Sequence, residues 1–336
     1  MRLQIYYQMR SCNYSMTSEI EKLIKYHQEQ YAKGTPEISD QEYDLLVGIY
    51  DAEKNIGPTG DIPLAYPMYS LQKVYPKRGD KVPTTCKDVE LVESPKYDGN
   101  AIELVYVNGV FHRATTRGDG VKGQDVTDKA RLLPIPNFIW NNKGVVQITG
   151  EVVATKITPN ARNIVSGKLV SEKDLNEAKR VFNEHEVVFV AYGVKPSLNN
   201  YYNADMSALD LYGFDVAINR PYEGHAPTDG VVYRVNDNSL FESLGYTSKF
   251  PRGAYAVKED DPPVETTLLD VIWQVGATGK VTPVAILEPV DIKGTTITRA
   301  TLNNISFINA LELEIGCKVA IIRAGDIIPK VVGRVD

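Results

Sequence analysis

The sequence predicts an α+β multidomain protein with a helical N-terminal module, an antiparallel β-rich centre and a small C-terminal barrel. Three observations carry this. Residues 17–54 repeat apolar positions at helical spacing, and from about residue 66 the period falls to two. After the charged, proline-containing "KEDDPP" at 258–263, about 75 residues hold five or so short strands and one short helical piece. A length of 336 residues also exceeds what one ordinary core supports and calls for two or three domains.

"SEIEKLIKYHQEQYAKG" sets Ile20, Leu23, Ile24 and His27 on one face, with Ser18 as N-cap and Gly34 as the stop. "SDQEYDLLVGIYDAE" opens a second helix behind Ser39 or Asp40, with acidic residues in the first turn, where the helix dipole favours them. The Gly- and Pro-rich "NIGPTGDIPLAYP" reads as a linker. In "AIELVYVNGVFHRATT" the Asn108-Gly109 pair suits a tight two-residue hairpin turn. "GVVQITGEVVAT", "HEVVFVAYGV" and "TDGVVYRVN" are further strands, with "SEKDLNEAKRVFNE" and "NADMSALDLYGF" as helical insertions. The last five strands suit a Greek-key barrel such as an OB-fold. The expected domains are residues 1–65, 66–260 and 261–336, with 1–15 an extension if Met16 is the true start.

Composition narrows the function classes. With 43% apolar and 24% charged residues the chain is of globular type. It has neither an apolar run of the roughly 18 residues a membrane span needs nor a secretory signal. The three cysteines, Cys12, Cys86 and Cys317, are far apart and odd in number, which points to buried thiols in a reducing compartment. The net charge of −6 does not suggest a wholesale nucleic-acid coat. Phosphate binding must therefore come from local clusters of Lys and Arg or be shared with a partner.

One such locality is "ESPKYDGNAI", residues 93–102. In a strand, residues i and i+2 share a face, so Ser94, Lys96 and Asp98 point the same way. On composition alone Lys96 is a solvated lysine at a strand edge. The alternative is a nucleophilic amine, which must shed its proton and so needs a desolvated or cation-rich site.

Nine ordered segments from about residue 20 to the end resemble NAD-dependent DNA ligases. Lys96-Tyr97-Asp98-Gly99 resembles the family's K-x-D-G nucleophile motif, and "ATTRGDGVKGQDVT" a stretch peculiar to it. "TGEVV", "AYGV", "TDGVVYRV" and "YAVKE" follow in the order of the remaining nucleotidyltransferase motifs. "TLLDVIWQVGATGKVTPVAILEPVDIKGTTITRATLNN" and "RAGDIIPKVV" are similar to the two ends of its OB domain, and "PEISDQEYD" to its nicotinamide-mononucleotide-recognising module.

The resemblance implies an antiparallel, ATP-grasp-like nucleotidyltransferase domain with NAD+ as adenylate donor and Mg²⁺ as its ion. Lys96 would take AMP from NAD+, pass it to a 5′-phosphate at a nick in double-stranded DNA, and release it as the 3′-hydroxyl seals the strand. The implied catalytic residues are Lys96, Asp98, Asp229 and Lys258. The implied cofactor-binding positions are Ser70, Leu71, Ser94, Arg117, Glu151, Arg162, Tyr192 and Arg234, with Tyr31, Asp40, Tyr43 and Asp44 on the nicotinamide mononucleotide half. Asp119 would support the Arg117 loop or simply cap its turn.

The sequence also departs from the family pattern. Ser94 stands where glutamate usually reads the adenine, and Arg234 where lysine is usual. Thr149, Val170 and Ala277 occupy common arginine positions, and Gln30 a common tyrosine position. The chain has no CxxC pair, whereas the family continues into zinc, helix-hairpin-helix and BRCT modules. The expectation is therefore no zinc in this chain and a separately encoded partner carrying those modules, as in a split, bacteriophage-like form in the host cytoplasm. Two other readings stay open: an ATP-dependent or capping-type lysyl-nucleotidyltransferase, and a non-catalytic DNA- or partner-binding scaffold.

Overall fold

The computed structural model describes residues 16–33, 37–38, 40–54, 61–140, 144–156, 161–170, 174–259, 262–275, 281–292, 295–324 and 328–335. The chain divides into two compact units, with the boundary after Lys258. Ser39, Gly34, Cys12 and Ala277 lie outside the described residues.

The first unit begins with α1 (Met16–Ala32) and α2 (Asp40–Lys54). Helix α1 is already formed two residues before the expected cap Ser18. Ile20 and Leu46 from the two helices are buried with Ala65, Val105 and Val145, so the helical pair is seated on a sheet face. The linker expectation fails from Asp61 onward. Asp61–Pro63 is a strand, β1, and Ile62, Ala65 and Met68 are buried. Pro63 and Pro67 belong to a packed strap rather than a free tether.

Two larger sheets follow. One is four-stranded, with β2 (Gln72–Val74), β11 (Ala254–Val257), β10 (Thr228–Val235) and β3 (Leu91–Tyr97) in that order. The other is five-stranded: β5 (Val110–Thr116), β4 (Asn100–Val107), β7 (Val145–Ala154), β8 (Val187–Lys195) and β9 (Asp215–Val216). Pairing is antiparallel except for β11–β2 and β8–β9. Strand β6 (Lys122–Gln124) pairs with β1 in a small sheet of its own.

The β4–β5 hairpin turns on Asn108 and Gly109, with φ of 49° and 79°, the left-handed pair its sequence calls for. Even-numbered residues of β4 (Ile102, Leu104, Tyr106) enter the main core with Ile148, Phe189, Met206 and Phe214. Helices α3 (Thr127–Ala130), α4 (Ala161–Val170), α5 (Leu175–Glu184), α6 (Tyr202–Leu211) and α7 (Asn238–Leu244) complete the unit. Asp174 caps α5 by accepting from the N–H groups of Asn176 and Glu177. Cys86 is a buried free thiol in a smaller core with Val74, Phe241 and Tyr255.

The second unit is a closed five-stranded barrel of β12 (Val264–Val275), β13 (Val281–Ile292), β14 (Thr295–Thr301), β16 (Ile328–Arg334) and β15 (Lys318–Ala324). The short α8 (Ile305–Ala310) lies between β14 and β15, and Asn304 caps it by accepting from Phe307 N–H. Leu268, Ala285, Leu287, Ile297, Val319, Ile321 and Val331 fill the interior, and Cys317 is buried with them as a free thiol. Among the described residues no helix is long and apolar enough to cross a membrane.

Candidate active site

Lys96 lies near the end of β3, where the chain leaves the four-stranded sheet and enters the five-stranded one through Asp98 and Gly99. Gly99 sits where a side chain has no room: a Cβ there would lie 2.2 Å from Val152 O on β7. Its N–H donates to Glu151, the preceding residue on β7. The K-x-D-G spacing thus places the lysine at a corner and brings that corner against the glutamate.

The Lys96 ammonium lies 2.8 Å from Asp229 Oδ1. The other oxygen of the same carboxylate, Oδ2, accepts from Lys258 Nζ at the end of β11. Lys258 is buried, whereas Lys96 keeps 27% of its side chain exposed. One carboxylate between two ammonium groups leaves a surplus positive charge beside the open position, an arrangement suited to a phosphate.

A bulge makes this possible. The β3–β10 register shifts by one residue between Thr228 and Val231, so Asp229 and Gly230 are the irregular pair. Gly230 has φ of 148°, and a Cβ on it would meet Val257 O at 2.2 Å. The extra residue re-aims Asp229 between two lysines that come from different strands.

Asp98 engages a different cation: its Oδ1 lies 2.6 Å from Arg162 Nη1 on α4. Glu151 is partly buried, and burial pushes its carboxyl up to about 7, while Lys96, Arg117, the Gly99 N–H and Arg162 pull it back. Burial and the Glu151 charge push the Tyr192 hydroxyl above its ordinary range, so it stays neutral in the neighbourhood of Glu151. Lys96, Asp229, Lys258, Glu151, Tyr192, Arg117, Asp98 and Arg162 therefore form one linked constellation around the sheet corner.

Arg117 is exposed, on a loop that Asp119 ties down by accepting from Val121 and Lys122 N–H groups at 2.8 Å. Those two donors hold the Asp119 carboxyl below its ordinary value. Ser94 is buried and stands opposite Val232 on β10. Glu93 faces the other way, as strand alternation requires, and pairs with Arg220.

Arg234 belongs elsewhere. Its guanidinium is stacked between the rings of Tyr202 and Phe241 at 4.1 and 4.0 Å, and donates to Asn238 Oδ1 and Val235 O. These contacts give it a packing role in the aromatic layer. Ser70 is exposed and its N–H donates to Lys249 O, while Leu71 packs against the Cys86 core. Tyr43 accepts from Gln28 Nε2 at 2.7 Å and Asp44 is exposed. The side chains of Tyr31 and Asp40 lie outside the described residues.

Three buried polar residues escaped the sequence reading: Glu103, Arg113 and Gln147. Part of the signal was present, since Glu103 and Arg113 stand at strand positions of the hairpin "AIELVYVNGVFHRATT".

A lysine at a sheet corner that shares a carboxylate with a second lysine, in a chain that also folds a closed five-stranded barrel, fits the nucleotidyltransferase-plus-OB class. Comparison makes the family specific. Residues 61–163 match the NAD-dependent DNA ligase adenylation domain, and residues 265–336 match the NAD-dependent DNA ligase OB-fold domain. A protein named DNA ligase from a Nitratiruptor species is 31% identical, over 95% of this chain and 57% of its own length. Another, from Aliarcobacter butzleri, is 33% identical over 93% of this chain and 57% of its own length. The chain belongs to the NAD-dependent DNA ligase family. It spans a little over half the length of these curated relatives.

Proposed function

We propose that this chain carries out the adenylation chemistry of an NAD-dependent DNA ligase, acting on nicked double-stranded DNA. The observation that carries the reading is the Lys96–Asp229–Lys258 arrangement, in which a partly exposed amine and a buried ammonium share one carboxylate.

In the first step neutral Lys96 Nζ attacks the α-phosphorus of NAD+, forming a P–N bond. The P–O bond to nicotinamide mononucleotide breaks, and that group leaves with its phosphate. Asp229 Oδ1, 2.8 Å away, is placed to take the proton the amine sheds. Lys258 and Arg117 supply positive charge where the phosphoryl oxygens gain negative charge. Glu151, ionised, offers acceptors for ribose hydroxyls, and Tyr192 a ring face for the base. The 5′-phosphate at the nick then displaces Lys96 from the adenylate, and the 3′-hydroxyl finally displaces AMP.

Magnesium belongs to the proposal through the family. Among the described residues no group of three or more His, Cys, Asp or Glu is assembled around one point. Asp229 is committed to two lysines and Asp98 to Arg162. Glu151, the remaining carboxylate of the site, is what this chain would offer such an ion, which would supply charge neutralisation at the phosphates.

The deciding experiment incubates the protein with NAD+ labelled in the adenylate half and locates the label by peptide mass spectrometry. A covalent AMP on Lys96 is the expected result. Labelling from ATP instead would move the chain to the ATP-dependent class, and no adduct from either would leave a binding scaffold.

A further inference from the structure

The first unit contains a second cluster of buried polar side chains, outside the Lys96 site. Glu103 on β4, Arg113 on β5 and Gln147 on β7 are each at most 4% exposed. Val105 stands opposite both Arg113 and Gln147, and Glu103 opposite Thr115 and Thr149, so the three lie side by side. With a period of two they share the sheet face that carries Glu151, four residues beyond Gln147.

Burying a charged pair is costly unless its geometry is good, and this pair is loose. Arg113 Nη2 is 3.7 Å from Glu103 Oε1. The firm hydrogen bonds go elsewhere, to the main chain of the 61–68 strap. Glu103 Oε2 accepts from Ala65 N–H at 3.0 Å, Gln147 Oε1 accepts from Tyr66 N–H at 2.5 Å, and Arg113 Nη2 donates to Pro63 O at 2.7 Å. Apolar contacts hold a segment down without fixing where it sits along its length. Three bonds to closely spaced main-chain groups fix that register.

The other edge of the strap holds the loop that bears Arg117. Leu64 N–H donates to Val121 O at 2.8 Å and Met68 N–H to Gly120 O at 2.9 Å. Strand β1 pairs with β6, residue for residue from Asp61↔Gln124 to Pro63↔Lys122. The strap also touches the helical module, because the Ala65 side chain is buried with Ile20 and Leu46 while its N–H is on Glu103.

We propose that Glu103, Arg113 and Gln147 are positioning residues for adenylation: they lock the strap, and through it the register of the 117–124 loop and the placement of Arg117. The same strap transmits the seating of helices α1 and α2 to that loop. The proposal rests on the adenylation reading of the Lys96 site.

The test compares Glu103→Ala, Glu103→Gln and Gln147→Ala with wild type in the full chain. Two readouts are taken: single-turnover AMP transfer to Lys96 against NAD+ concentration, and amide hydrogen exchange. Glu103→Ala is expected to raise the half-saturating NAD+ concentration about tenfold and leave the saturating rate within about twofold. Exchange should speed up in both 61–68 and 117–124. Glu103→Gln keeps an acceptor for Ala65 N–H and should restore most of the NAD+ dependence. Unchanged half-saturation in a folded Glu103→Ala protein overturns the proposal, as does faster exchange in the strap without a response in the loop. If Glu103→Ala does not fold, Gln147→Ala, which loses only the Tyr66 bond, is judged by the same two criteria. Absence of an adduct in wild type would instead refute the adenylation reading, and the exchange result alone then decides the coupling of strap to loop.

Discussion

Two buried charge clusters sit on neighbouring elements of the first unit, built on opposite plans. At the sheet corner, two lysines share Asp229, and one of them, Lys96, stays partly open to solvent. Under the strap, Glu103 and Arg113 balance each other in full burial and direct their best bonds to main chain. A surplus of one sign beside an opening suits a charged ligand, whereas a balanced and sealed pair suits the placement of backbone. The difference between the clusters lies in charge balance and access, since both are assembled from adjacent strands.

The most severe way to break the comparison is to remove the nucleophile. Lys96→Ala should abolish covalent AMP transfer from labelled NAD+ while the protein remains folded by circular dichroism. Asp229→Asn should be nearly as damaging. It leaves two ammonium groups side by side without their anion, with adduct formation down about a hundredfold and stability down about 3 kcal/mol in chemical denaturation.

The sealed cluster should respond to pH in its own way. Burial raises the Glu103 carboxyl from 4.5 to about 7. The fold therefore favours the protonated form, so its contribution is full below about pH 4.5 and lost as pH rises through about 7. Between those limits wild type should lose about 3 kcal/mol relative to Glu103→Gln, read as a difference in the slope of unfolding free energy against pH. Equal slopes would place Glu103 in a far more polar setting than its burial indicates.

The smallest effect is expected at Glu151, which lies between the two plans. With its carboxyl pushed up to about 7, its ionised fraction rises across neutral pH. Adenylation at subsaturating NAD+ should rise a few-fold from about pH 6 to 8, and Glu151→Gln should flatten that rise around a lower rate. A wild-type profile flat across this range would separate the carboxylate from the reaction.

Much of this was legible in the chain. The Asn108-Gly109 hairpin, the strand alternation around Lys96 and the barrel segments are local patterns, and local geometry reproduces them. Other features were hidden because they depend on partners far away in sequence. Asp98 was read as a neighbour of Lys96, and the structure gives it an ion pair with Arg162, a residue far along the chain on α4. Arg234 was read as a cofactor residue from motif position, yet Tyr202 and Phe241 enclose it. Residues 61–67 were read as part of a linker because glycine and proline mark both tethers and tight packing.

By itself the sequence determined the strands, the corner glycine and which amine to propose as the nucleophile, since period, turn chemistry and motif spacing are properties of consecutive residues. Only the tertiary structure decided what faces that amine. A one-residue bulge at Asp229–Gly230 and the register of β3, β10 and β11 bring Lys96 and Lys258 to one carboxylate. Strand register is a long-range pairing, and a shift of one residue would turn Asp229 to the other face.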